Sequence, residues 1–331
     1  MRLYKILPLY IIVTIFLYLK KLYYQFLNYK FKKKYNIPIY SIGSIELGGS
    51  GKTTLTKALV SILIGNGYKP GILSRGYKRK SHRMQVVHNG QKLLTNVMYA
   101  GDEPYMLGKL MKKVPIIVDK NKERGIVSLS NYNVDCIVID DGYQSHYLGK
   151  KKDIIIINNF HDISNYLIFP YGFLREPIHF LKRADIVLFN ENKNKKLESN
   201  IKKHLSQKIK IFIYKRNYFL HQYKSIDIFS PINNIKGNFI AFCGIALPEL
   251  FFEKIKDYNV SVKKCFIYNN HQNYNHSIIN SIIKNAEKLK IKQFITTDKD
   301  VFKLPPYLFR KYSIYTLSTN IVIEDEKNFI K

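Results

Sequence analysis

Acidic residues are scarce in this chain: 24 Asp and Glu stand against 54 Lys and Arg over 331 residues, a formal net charge of +30. Such a balance attracts polyanions, whether nucleic acid, anionic lipid headgroups or phosphorylated substrates. The basic residues lie along the whole sequence and form no single stripe, which argues against a nucleic-acid partner. Cysteine is also scarce. Cys136, Cys243 and Cys265 are widely spaced and make no C-x-x-C pair, so a disulfide framework and a cysteine metal site are both excluded. Each lies in an apolar, strand-like run and is expected as a buried thiol of a reducing compartment. A long hydrophobic run is missing too. The uncharged stretch "ILPLYIIVTIFLYL", Ile6 to Leu19, falls short of the roughly 18–20 residues that span a bilayer. No small-x-small site comes after it, which speaks against a cleaved signal peptide.

Lys20, Lys21, Lys30, Lys32, Lys33 and Lys34 crowd the carboxyl side of that stretch. An apolar plug with a cationic collar predicts a membrane-anchoring helix over residues 1–34, inserted partway or spanning with its lysines snorkelled against an anionic membrane surface. Lysines on that side of the plug place the rest of the chain in the cytoplasm. A core helix is the competing reading of the same residues.

Beyond residue 34 the pattern alternates. "IPIYSIG" reads as a strand, "KTTLTKALVSILIGNG" as a helix, and "KPGILSRG", "VPIIVD", "VDCIVIDD", "KDIIIINN" and "ADIVLFN" as further strands. Apolar β-branched runs separated by helices predict a parallel sheet covered on both faces. After a charged, aromatic stretch a second set begins at "NFIAFCGIA" and continues through "KKCFIYNNH" and "KQFITTDKD". The expected fold class is α/β: a phosphate-loop NTPase-like parallel-sheet domain over 35–215, then connecting strands and a smaller α/β domain over 216–331, with the boundary near Arg216 to Pro231.

The stretch "SIELGGSGKTTLTKAL", Ser44 to Leu59, sits between the first strand and the first helix. It fits the phosphate-loop pattern G-x-x-x-x-G-K-[ST] except at its first glycine, where Glu46 stands. Gly48, Gly49 and Gly51 would let backbone N–H groups approach phosphate oxygens, with Ser50 and Thr54 beside them. Lys52 would reach the β- and γ-phosphates of ATP, and Thr53 would offer its hydroxyl to Mg²⁺. A glycine-rich strand-to-helix turn without a ligand is the plainer alternative. Asp140 and Asp141 end another apolar strand, where one carboxylate could hold Mg²⁺ and the other a water or a loop. An inward carboxylate at position 46 would repel ATP, since unit charges about 4 Å apart at an effective dielectric near 20 interact by roughly 4 kcal/mol. Glu46 is therefore expected to point outward, towards solvent and a nearby lysine or arginine.

Together these segments carry a resemblance. The phosphate loop, "LSRGY" (Leu73–Tyr77), "GDEP" (Gly101–Pro104), "DDGYQ" (Asp140–Gln144), "LREP" (Leu174–Pro177) and "TTDKD" (Thr296–Asp300) resemble, in their order, the tetraacyldisaccharide 4'-kinase family, the lipid A 4'-kinases, over almost the whole chain. The resemblance implies transfer of the ATP γ-phosphate to the 4'-hydroxyl of an acylated glucosamine disaccharide 1-phosphate. It places that reaction at the cytoplasmic face of the bacterial inner membrane, in a site between two α/β domains. It implies that Asp102 acts on the attacking hydroxyl with help from His271. Arg75 and Arg175 would neutralise phosphate charge, and Glu103 joins Thr53, Asp140 and Asp141 as a candidate metal ligand. Read without the resemblance, Asp102 or Glu103 could cap the next helix, and both arginines could be surface residues. Family loops carry Ser or Thr where Glu46 stands. Asn270 and Gln272 flank His271 where the family tends to have Asp-His-His, and Ser145-His146 replaces its His-Arg. Arg124 corresponds less surely. Another membrane-tethered phosphate-loop kinase or NTPase switch is the runner-up, but a GTPase would show an N-K-x-D-like element, which "TTDKD" replaces poorly.

Overall fold

The computed structural model describes residues 11–13, 15–19, 22–23, 33–158, 166–191 and 194–330. Strands and helices run in chain order as β1 (Ile39–Gly43), α1 (Lys52–Gly65), β2 (Pro70–Ser74), β3 (Gln85–Asn89), α2 (Val97–Ala100) and α3 (Asp102–Leu110). Then come β4 (Pro115–Val118), α4 (Lys122–Ser130), β5 (Cys136–Ile139), β6 (Lys152–Ile157), β7 (Ile186–Asn190), α5 (Lys195–Lys202), β8 (Lys210–Ser225) and β9 (Ile228–Ile232). The carboxyl-terminal part adds β10 (Asn238–Cys243), α6 (Pro248–Lys256), β11 (Ser261–Ile267), α7 (His276–Lys288), β12 (Gln293–Thr297), α8 (Asp298–Val301) and β13 (Ser313–Ile323).

The chain divides into two compact units that are not consecutive in sequence. The first holds 1–75, 114–215 and 321–331; the second holds 76–113 and 216–320. A linear boundary near residue 216 thus coincides with one of the places where the chain changes unit, and the "GDEP" segment falls in the second unit.

In the first unit the strands run β4-β2-β5-β1-β6-β7 and then the first part of β8, all parallel. Their runs are apolar almost throughout because both faces are covered: Ile42, Ile137, Val138, Ile139, Ile155 and Val187 have no exposed surface. Burying each such side chain contributes about 1.5–3 kcal/mol. Leaving β1, the chain passes to β2 on one side of it, and β6 and β7 lie on the other. The strand order reverses at β1 and β5, whose carboxyl ends therefore lie side by side, the place where open α/β sheets bind ligands.

In the second unit β11-β10-β12-β13 are parallel neighbours, and β9 pairs antiparallel with β8. Phe239, Ala241, Cys243, Ile295 and Leu220 form its buried cluster with Phe251 and Ile255 of α6. Cys136 and Cys243 are buried as expected, but Cys265 is exposed. It lies on β11, the end strand of that order, which carries Lys263, Lys264 and Cys265 on exposed positions.

Residues 11–13, 15–19 and 22–23 are helical and expose Ile11, Ile12, Ile15, Phe16, Leu19 and Leu22, while the Tyr18 hydroxyl meets His179 Nε2 at 3.0 Å. No helix among the described residues is long and apolar enough to cross a membrane. Lys20, Lys21, Lys30 and Lys32 of the collar lie outside the described residues.

Candidate active site

The first unit builds a phosphate cradle at the carboxyl end of β1. Gly48, Gly49 and Gly51 take φ of 64°, 56° and 87°, left-handed backbone that glycine adopts without a Cβ clash. Gly51 caps α1 with no side-chain hydrogen bond to the first turn, which also lacks an acidic residue. The first amides of α1 and its positive dipole end thus face the loop without a competing carboxylate on the helix. Lys52 Nζ lies 3.1 Å from Ser50 Oγ and 3.8 Å from Asp141 Oδ1. Because β1 and β5 are neighbours, Asp140 comes beside the start of α1. Its carboxylate accepts from Thr53 Oγ1 and Thr56 Oγ1, each at 3.3 Å, and it is buried.

Asp141 is held from several sides. It has φ 55°, its carboxylate accepts from Arg175 Nη1 at 3.0 and 3.2 Å, and its carbonyl accepts from Lys122 Nζ at 3.1 Å. Lys150 Nζ donates to the Gly142 carbonyl at 3.0 Å and pairs with Asp153 at 2.8 Å. Gln144 Nε2 reaches the Ser44 carbonyl at 3.3 Å, tying "DDGYQ" to the loop. Burial works to raise the Asp141 carboxyl, but the charges of Lys52, Arg175 and Lys122 outweigh it and hold the group below the usual carboxylate range. Burial drives the Lys122 ammonium down to about 8 against the pull of Asp141 and Asp140. Arg75 is exposed just past β2. Arg124 forms a two-pronged pair with Asp119, Nε at 2.6 Å and Nη2 at 2.9 Å. Ser145 is buried, and its N–H closes a turn onto the Gly142 carbonyl at 3.0 Å.

Glu46 overturns the outward expectation. It is 3% exposed, and its carboxylate accepts from Asn158 N at 3.0 Å and from the Tyr166 hydroxyl. The carboxylate is satisfied by protein donors in the interior rather than by solvent at the surface.

The second unit collects a different group. Gly101, at φ 88°, turns the chain into α3, and a Cβ there would sit 3.1 Å from the Tyr77 carbonyl. Asp102 and Glu103 occupy the first turn of α3. Asp102 Oδ2 meets His271 Nδ1 at 3.2 Å and Lys303 Nζ at 3.3 Å. Glu103 Oε1 accepts from Lys299 Nζ at 2.9 Å, and the same Nζ stands 3.4 Å from His271 Nε2. His271 has φ 64°, donates its backbone N–H to the Gly244 carbonyl at 3.1 Å, and has the Tyr77 ring edge-on at 5.1 Å. Lys303 also pairs with fully buried Asp300 at 2.8 Å and donates to the Gln272 carbonyl at 2.9 Å. Burial works to raise Asp102, but the His271 hydrogen bond and the Lys303 and Lys299 charges prevail and hold its carboxyl low. A His271 tautomer with its proton on Nδ1 would donate to that carboxylate and leave Nε2 facing Lys299 Nζ as an acceptor.

Of the sequence candidates, Gly48, Gly49, Ser50, Gly51, Lys52, Thr53, Thr54, Asp140, Asp141 and Arg175 fall in the first unit, as does Arg75 at its edge; Asp102, Glu103 and His271 fall in the second. Lys122, Lys150, Lys299 and Lys303 were not singled out from the sequence. In a chain this rich in lysine, nothing but burial separates them from surface lysines, although Lys299 does lie inside "TTDKD". No group of three or more His, Cys, Asp or Glu side chains is placed to hold a metal among the described residues. Magnesium on a nucleotide needs less, usually one or two carboxylates plus phosphate oxygens and water. The Thr53 hydroxyl and Asp140 carboxylate, 3.3 Å apart at the loop, fit that requirement. Asp141 and Glu103 have cationic partners instead.

A left-handed glycine loop before a helix, its lysine, and an aspartate on the adjacent parallel strand define a nucleotide-dependent phosphotransferase of the phosphate-loop class. The chain belongs to the tetraacyldisaccharide-1-P 4'-kinase (LpxK) family, whose model matches residues 4–331. Its activity is ATP-dependent phosphoryl transfer to the 4'-hydroxyl of a tetraacyldisaccharide 1-phosphate, a step of lipid A biosynthesis. The tetraacyldisaccharide 4'-kinase of Desulfotalea psychrophila is 30% identical over 279 residues, covering 82% of this chain and 79% of that protein. That of Elusimicrobium minutum is 28% identical over 307 residues, 89% of this chain and 81% of the relative. The crystal structure of LpxK from Aquifex aeolicus in complex with ATP shares the fold, with a TM-score of 0.76 at 24% identity over 98% of this chain and 95% of that one.

Proposed function

We propose a division of labour for the family reaction in this chain. The first unit holds ATP: the loop from Gly48 to Thr54 receives the phosphates, with Lys52 and Arg175 neutralising their charge, and Thr53 and Asp140 hold Mg²⁺. Bound there, the metal would neutralise charge on the β- and γ-phosphates. Asp141 fixes Lys52 and Arg175 at their positions as a shared counter-charge. The second unit handles the acceptor. Asp102, kept ionised by its lysines, accepts the 4'-hydroxyl proton as the oxygen attacks phosphorus, and His271 orients that carboxylate by donating its Nδ1–H to it. The attacking oxygen then carries the transferred phosphoryl group and ADP leaves. Lys299, beside His271 Nε2, adds positive charge where negative charge develops.

The observation that carries the reading is Asp140, buried and shared by Thr53 and Thr56 behind a left-handed phosphate loop. The exposed apolar side chains of helical residues 11–13, 15–19 and 22–23 and the lysine collar of the sequence support attachment to the cytoplasmic face of the bacterial inner membrane, where an acylated substrate keeps its chains in lipid. The test is ATP-dependent 4'-phosphorylation of a tetraacyldisaccharide 1-phosphate by purified protein in detergent. Lys52→Ala should lower turnover by about 10²–10³ with an unchanged melting temperature, the usual effect of removing one charge-stabilising group. A folded Lys52→Ala protein with normal turnover would contradict the assignment.

A further inference from the structure

Glu46 occupies the position where the phosphate-loop pattern has its first glycine, and it sits at a junction of three segments of the first unit. Its backbone forms a bridge with Leu174; around it, Leu47 N donates to the Phe173 carbonyl and Arg175 N to the Ile45 carbonyl, each at 2.6 Å. Its carboxylate takes the backbone N–H of Asn158, the residue just past β6, at 3.0 Å, and the hydroxyl of Tyr166. Asn158 is itself buried; its Nδ2 donates to the Gly49 carbonyl at 2.7 Å, and its Oδ1 accepts from the Tyr214 hydroxyl at 3.2 Å. One carboxylate thus fixes the residue whose side chain grips the middle of the phosphate loop, and at the same time ties the loop entry to the segment that carries Arg175.

We infer that Glu46 is a positioning residue for ATP: through Asn158 it holds the Gly49 carbonyl, and with it the left-handed turn at Gly48 and Gly49, in the conformation that receives the phosphates. It touches no phosphate itself. The glycine of the usual pattern is replaced by a side chain that braces the loop from below. This rests on the reading of Gly48–Thr54 as the nucleotide site.

Three consequences separate a positioning role from a merely structural one, because a displacement of about 1 Å in a preorganised site costs up to a hundredfold. Glu46→Ala should weaken MgATP binding, measured directly on the full chain in detergent, by about tenfold or more, and raise KM for ATP while leaving KM for the lipid unchanged. Glu46→Gln, which can still accept from Asn158 N and donate to the Tyr166 oxygen, should stay within about threefold of the native affinity. Asn158→Ala, which removes the grip on Gly49 and leaves Glu46 in place, should reproduce the ATP defect. Should Glu46→Ala not fold, Tyr166→Phe deletes one hydroxyl and should still weaken MgATP binding measurably. A folded Glu46→Ala or Tyr166→Phe protein with native MgATP affinity overturns the inference, even if its melting temperature falls. Native protein that does not bind MgATP at all overturns the nucleotide-site reading and the inference with it.

Discussion

Residue by residue, the recurrent device is a carboxylate held ionised by buried lysine. Asp102 between His271, Lys303 and Lys299 is one case, and Asp141 between Lys52, Arg175 and Lys122 another. Removing a lysine at the first should move a titration. Lys299→Met deletes a positive charge that lowers Asp102, so the carboxyl will bind its proton at higher pH. The acid limb of the kcat–pH profile should shift upward, and an unmoved limb would take Asp102 out of the proton-transfer step. Lys303 answers differently because its partner Asp300 has no exposed surface. Lys303→Met leaves that charge buried without its nearest cation and should cost about 3–5 kcal/mol in stability, read by denaturant unfolding.

At the scale of elements, β1–loop–α1 and the end of β5 were legible in the sequence. Strand, glycine run and Gly-Lys-Thr-Thr come in the order that the geometry needs, and "CIVIDD" can hardly be anything but a buried strand ending in acid. Three features were not legible. Glu46 was expected outside because charge alone forbids it near phosphate, and no local pattern announces that Asn158, 112 positions on, would receive it. Cys265 sits in a strand-like run, but whether a strand lies inside or at the end of a sheet is decided by partners far away in the chain. The lysines that pin the Asp141 turn read as surface charge. Lys122 at the start of α4 gives that turn a pH dependence. Its folded pKa of about 8 lies below the roughly 10.4 of an exposed lysine, so the unfolded chain binds more protons between those values. Stability from this group is therefore fully present above about 10.4 and lost as pH falls through 8. Lys122→Met should flatten the rise in unfolding free energy over pH 8–10; a rise as steep as the native one would show that Lys122 is not desolvated.

For the whole molecule, sequence order misleads about composition by unit. The segment 76–113 lies between two strands of the first unit in sequence, yet its Asp102 joins His271, Lys299 and Lys303 in the second. The motif set identified the family because it depends on order along the chain; the grouping by unit depends on contacts over 160 residues and more, which no local pattern carries. The proposed amino-terminal anchor belongs to this scale too. Deleting residues 1–34 should cut recovery with membranes and transfer to lipid in vesicles, and unchanged membrane recovery would place the attachment elsewhere. The central claim is that nucleotide binding resides in the first unit and acceptor chemistry in the second. Asp102→Asn tests it most directly when MgATP affinity and 4'-transfer are measured on the same preparation. Affinity should stay within about twofold while turnover falls by about 10²–10⁴, the worth of a general base. Turnover near the native rate would contradict the account.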